Sequence, residues 1–267
     1  MAALEITVTI DDQAYSQRQL EAIQRERGIH VLHEMKRLGA VLKDGENVFS
    51  HDDINYLSAE DVKRISVATC ASLGWDGVKS LFRDQIQRSL HMWEQIVSDG
   101  AEGEPAKLSI ALLHVTGLVL EDYQKLSQRV MMESGKGTLE FLLHPEHFAL
   151  SPTTEGLHGM ETMGMYGGPT EMWVVPDPQI ETPLPRDPEF PVAMVGYSRI
   201  GRDATSTRNT SVMHQFKPLE HGILMKTCVF FPAKTPQDVV DGHKLHVAIE
   251  FSEGVKAAYQ SKHRRVQ

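Results

Sequence analysis

Residues 137–259 form a run of short β-like segments closed by one long helical segment, and that order most narrows what the chain can fold into. The segments are "TLEFLLHPEHFAL", "GLHGMETMGMYG", "EMWVVPD", "AMVGYSRIGR", "NTSVMHQFKPL" and "GILMKTCVFFPA". "LEHG" at 219–222 has the length and residue types of a hairpin turn between the last two. The helical spacing then runs from Pro236 to about Tyr259.

The first hundred residues have a different texture. "EITVTI" at 5–10 alternates as one short strand, and Ser16 to Leu42 carries Leu20, Ile23, Ile29, Leu32, Met35 and Leu38 on a helical stripe. Ser58 with Asp61 predicts an N-cap and a helix to about Ala71, and residues 74–97 predict another. "SDGAEGEPAK" at 98–107 is rich in Gly, Pro and acid, which marks a boundary. Beyond it "LSIALLHVTG" reads as a strand and "LEDYQKLSQRVMME" as a helix. The expected fold class is α+β: a mostly helical region over 1–100, then a helix-grip domain over 101–267. In that arrangement a curved antiparallel sheet wraps on the long C-terminal helix around a cavity.

Bulk properties remove several functions. The net charge of −9 argues against a nucleic-acid binder, and the basic run Lys262 to Arg265 reads as a solvated end. Two cysteines, Cys70 and Cys228, cannot make a disulfide framework and lie in apolar settings, which suits a reduced, cytoplasmic location and inert thiols. The start "MAALEITVTIDD" lacks the features of a signal peptide, and no stretch has the length of a membrane span. P-loop, dinucleotide-binding and G-x-S-x-G patterns are absent, so phosphoryl, hydride and serine-acyl chemistry lack support.

Histidine is concentrated instead. Of thirteen histidines, eight lie beyond residue 140. "HKLHVAIE" places His243, His246 and Glu250 on one helix face, with His246 and Glu250 one turn apart. "LLHPEHF" adds His144 and His147, "GLHGMETMGMYGG" adds His158 and Glu161, and "SVMHQF" adds His214 on a strand. Alternation points His158 with Met160 to one face and Glu161 to the other, so at most one of His158 and Glu161 faces a cavity unless a bulge intervenes. A carboxylate between methionines is expensive unless it is paired or metal-bound, which singles out Glu161. His144, held extended before Pro145, could be a ligand or a cap. Two histidines with two carboxylates suit Zn²⁺, with Mn²⁺ or Fe²⁺ open.

Over about residues 108–255, "HVTGLVLEDY", "LHPEHF", "GLHGMETMGMYGGPTEMWVVPDP", "SVMHQFKPLEHGILMKTCVFFPA" and "HKLHVAIEF" together resemble the 2,4-diacetylphloroglucinol hydrolase family, which includes phloretin hydrolase. The resemblance implies a zinc-dependent C–C hydrolase with a birch-allergen-like helix-grip domain. It implies His147, Glu161, His246 and Glu250 as the metal ligands and His214 as a further active-site histidine. The substrate expected is a small aromatic ketone or polyphenol, cleaved between an acyl group and a phenol-like ring. His214 would deliver or relay the ring proton, and Tyr166 and Tyr197 would donate hydrogen bonds to substrate hydroxyls. A helix-grip cyclase or lyase of secondary metabolism, and a non-enzymatic binder of hydrophobic ligands, are the alternatives. Neither nucleic acid nor membrane is expected as a partner, and a homodimer is left open.

Overall fold

The computed structural model of the protein describes residues 3–100, 103–133, 144–164, 168–203 and 205–264. Nine strands make one antiparallel sheet in the order β2-β1-β5-β11-β10-β9-β8-β7-β6. They are β1 (Glu5–Ile10), β2 (Gln13–Tyr15), β5 (Lys107–Thr116), β6 (His147–Pro152), β7 (Leu157–Glu161), β8 (Thr170–Pro176), β9 (Val192–Arg199), β10 (Arg208–Leu219) and β11 (Gly222–Phe231). A separate two-stranded ribbon pairs β3 (Lys43–Asp44) with β4 (Asn47–Val48). The helices are α1 (Gln17–Arg37), α2 (His51–Asn55), α3 (Ala59–Leu81), α4 (Arg83–Ser98), α5 (Leu120–Glu133) and α6 (Gln237–Arg264).

The strand and helix periods decide which side chains go inward. On β5, Ala111, Leu113 and Val115 point at α6, where they meet Val240, Val247, Phe251 and Val255. Burying each such side chain contributes about 1.5–3 kcal/mol, so this seam holds α6 to the sheet. A second cluster joins α1 and α3 to the sheet's far edge: Leu32, Met35, Val62 and Ile65 pack with Phe148 of β6 and Met160 of β7. The opposite face of β9–β11 has its own small core of Val195, Met213, Cys228 and Phe230, covered by Ile180 and Leu184.

The hairpin at "LEHG" is present, with Leu219 facing Gly222. Ser58 caps α3 as expected, accepting from the Asp61 amide. The boundary expected between the helix ending near Ala71 and the one starting at 74 falls at Gly74, whose backbone is non-helical (φ 63, ψ -179). Other expectations shift. A second break, which the sequence did not show, comes at the buried Phe82. The first part of "TLEFLLHPEHFAL" lies outside the described residues, and its strand begins at His147. Segments before residue 100 also enter the sheet and its core. β1 pairs along β5, and Leu20, Trp93 and Ile96 join the cluster beneath α6. No helix among the described residues is long and apolar enough to cross a membrane.

Candidate metal centre

The polar cluster lies where α6, the β6–β7 edge and α1 meet. His147 and Glu161 are register partners on β6 and β7, so they share a face and turn toward α6. There His147 Nε2 stands 3.2 Å from Glu161 Oε2 and 3.0 Å from His246 Nε2. The other His246 nitrogen, Nδ1, lies 2.9 Å from Glu146 Oε2, which also accepts from Arg27 of α1 at 2.8 Å. His144 stacks on the His246 ring with centroids 3.9 Å apart, and its Nδ1 accepts the Glu146 amide N–H at 3.0 Å. Two overlapping groups, His144/Glu146/His246 and His147/Glu161/His246, are thus spaced to hold a metal ion.

Close backbone packing sets this arrangement. Gly164 follows Glu161 out of β7 with φ 82, and a Cβ there would sit 2.2 Å from the His243 backbone nitrogen. The loop can press on the first turns of α6 only without that atom. Gly164→Ala is therefore expected to destabilise the fold by about 1–3 kcal/mol, combining a strained φ with a backbone clash. Urea unfolding measures it, and an unchanged midpoint would mean that the loop and helix separate at no cost.

Burial shapes the electrostatics. His144, His243 and His246 are driven well below the ordinary imidazole value, first by loss of hydration and then by neighbouring cationic groups. Burial also pushes the Glu250 carboxyl up to about 7. Glu161 rises well above its ordinary value through burial, with the charges of Glu250 and Glu146 adding to it. Glu250, one helical turn from His246, acts on Glu161 through its charge but belongs to neither group spaced for a metal ion. Glu146 is raised by burial against the opposing pull of Arg27. Two acidic groups that repel each other beside two neutral imidazoles are a donor set suited to a cation.

The remaining expected site residues divide. His214 lies on the α6 side of β10 with its ring 4.8 Å from Phe251, and its charge would be felt at His243. Its buried Nδ1 finds no partner among the described residues, and burial lowers its pKa to about 4. Tyr197 is not brought to the cluster. It follows Val195 by two on β9, so it shares the face of the small opposite core, where Arg208 covers its ring at 4.0 Å. Tyr166 lies outside the described residues. His158 also faces away, stacked on Trp173 and bonded to Glu171 at 3.0 Å. Both thiols are buried, with pKa values pushed up to about 12 for Cys70 and about 11 for Cys228, so neither is a ready nucleophile.

Sequence reasoning missed Arg27, Glu146 and Tyr123. Arg27 lies on the α1 stripe between Leu20 and Val31, and an arginine at an inward position was the available signal. Tyr123 of α5 packs on Phe216 and Phe251, and its hydroxyl is raised by burial and by the nearby Glu250.

A mixed α+β protein with an antiparallel sheet, a closing C-terminal helix and a buried His/Glu cluster is the class that fold and site define. No protein-family model matches the chain, and no curated protein matches it.

These shifts predict a pH dependence for the metal-free protein. Histidines held below 6.5 refuse protons that the unfolded chain accepts, so they cost stability as pH falls below that value. Glu250, raised from 4.5 to about 7, and Glu161 keep protons that the unfolded chain has released, so they cost stability as pH rises. Above about pH 6.5 only the carboxyls still titrate. Stability should therefore fall from there past pH 7 with a chelator present, and saturating divalent metal should cancel the fall. Urea midpoints across that range, with and without metal, provide the check.

Proposed function

We infer that the protein is a zinc-dependent hydrolase that cleaves a C–C bond between an acyl group and a phenol-like ring. The observation that carries this reading is the meeting of His147, Glu161 and His246, which the family resemblance had singled out from segments 99 residues apart. Ligand atoms of a tetrahedral zinc site stand about 3.3 Å apart, given metal–ligand lengths of about 2.0–2.1 Å. The separations of 3.0 and 3.2 Å around His147 suit such a site. The family resemblance supplies Glu250, one helical turn from His246, as the fourth ligand. The His144/Glu146 group suits a cation less, because Arg27 already neutralises Glu146 and the Glu146 amide occupies His144 Nδ1. A helix-grip sheet, closed on α6, would place the substrate between that helix and β10.

When bound, the ion supplies Lewis acidity to the ketone oxygen and acidifies water for attack at the carbonyl. The products balance as a carboxylic acid and a ring carrying hydrogen where the acyl group stood. An aryl anion is too unstable to leave, so the ring carbon must receive a proton as the bond breaks. We assign that role to His214, whose ring lies on the α6 side of β10. With a pKa of about 4 it is neutral near pH 7, so it serves as a relay that gives one proton and takes another. Tyr123, kept protonated beside Glu250, is a hydrogen-bond donor available to a substrate hydroxyl. A pure ligand binder would leave Glu161 and Glu250 opposed without a cation, which weighs against that alternative.

The test is elemental analysis of the purified protein together with acid release from an acylated phloroglucinol. About one zinc per chain, with activity lost to a chelator and restored by zinc, is expected. A protein that binds the ketone without cleaving it would sink the hydrolase reading, and absence of stoichiometric metal would sink the zinc site.

A further inference from the structure

The geometry points to Glu146, held by Arg27, as the residue that positions His246 for metal binding, so that the N-terminal helix α1 is part of the centre's framework. The inference rests on the zinc reading above and concerns residues which that reading does not count as ligands.

Three contacts carry it. Glu146 Oε2 lies 2.9 Å from His246 Nδ1, and a carboxylate can only accept there, so the proton belongs on Nδ1. That tautomer leaves the Nε2 lone pair pointing at His147 Nε2, 3.0 Å away. Metal-bound histidines commonly donate their other N–H to a carboxylate, which fixes both tautomer and ring orientation. Arg27 supplies a counter-charge to this carboxylate in a buried place: its Nη1 donates to Oε2 at 2.8 Å, and both side chains are almost fully buried.

The second arm of Arg27 extends the device to the helix. Nη2 donates to the Gly242 carbonyl at 2.7 Å, and Gly242 lies one helical turn before His246. Arg27 therefore bridges Glu146 to the turn that bears the ligand. Its approach depends on the next residue, because a Cβ on Gly28 would stand 2.2 Å from Val62 Cγ1 and 3.4 Å from Pro145. His144 limits the ring from the other direction by stacking on its face at 3.9 Å. One in-plane hydrogen bond and one stacked ring leave His246 little rotational freedom.

The test uses the full chain and two kinds of measurement. Imidazole nitrogen NMR of the metal-free wild type should show His246 as the Nδ1–H tautomer, and this needs no variant. Glu146→Gln should weaken zinc binding by about 10- to 100-fold in a chelator competition. Glu146→Asp, which keeps the charge, should recover part of the affinity. An Nε2–H tautomer in the wild type would overturn the inference. So would wild-type zinc affinity in Glu146→Gln while His246→Ala binds none. Wild-type affinity in His246→Ala would instead remove the zinc site as drawn, and the positioning role with it.

Discussion

His246→Ala is expected to abolish stoichiometric zinc binding and to erase the stabilisation that zinc confers on the wild type. His246 is 1% exposed and belongs to both groups spaced for a metal, so its loss leaves neither intact. Ligand bound only by the folded state stabilises it by about 4 kcal/mol at a thousandfold excess over Kd. For a chain of this size that corresponds to roughly 10 °C in melting temperature. The metal-free variant should itself be less stable than the metal-free wild type, because Glu146 loses a buried hydrogen-bond partner. Destabilisation alone therefore says nothing about zinc. The deciding quantity is the difference in melting temperature with and without the ion, large in the wild type and close to zero in the variant. Glu250→Gln should behave alike in zinc content while disturbing the fold less, since it keeps the side chain's shape and removes only the carboxylate. A variant that still warms with zinc by the wild-type amount would show that the ion binds elsewhere.

His214→Ala should do the opposite: keep the zinc and lose the turnover. The ring lies on β10 across from α6, against Phe251, outside both groups spaced for a metal. Removing a proton-transfer residue costs about 10²–10⁴-fold in rate. Metal content and the zinc-dependent melting shift should stay at wild-type values. Because Nδ1 is buried without a partner among the described residues, removing the ring deletes an unsatisfied polar atom, which offsets part of the cost of the cavity left against Phe251. Loss of zinc in this variant would make His214 a ligand and reverse the division of roles. Full activity with zinc retained would make it a packing residue and require another proton source.

What the sequence by itself determined is what local periodicity reports. Alternation located β1, β5 and β7–β11, and helical spacing located α6, because each pattern is written within about ten residues of chain. Alternation on β7 also separated Glu161 from His158 correctly, since Met160 marks the apolar side. The same logic had no purchase on β9. Both of its faces are covered, its last five residues are all buried, and so Tyr197 carried no sign of the side it faces. In "HPEH" the chain turns, with the His147 amide bonded to the His144 carbonyl, and a turn has no period from which to read direction. Only the tertiary structure decided that Glu146 meets Arg27 across 119 residues, and that His246 arrives between them and His147. The pairing of β1 with β5 is of the same kind. Such contacts depend on which faces are left to bury once the elements exist, and that is a property of the packed whole, absent from any one stretch of residues.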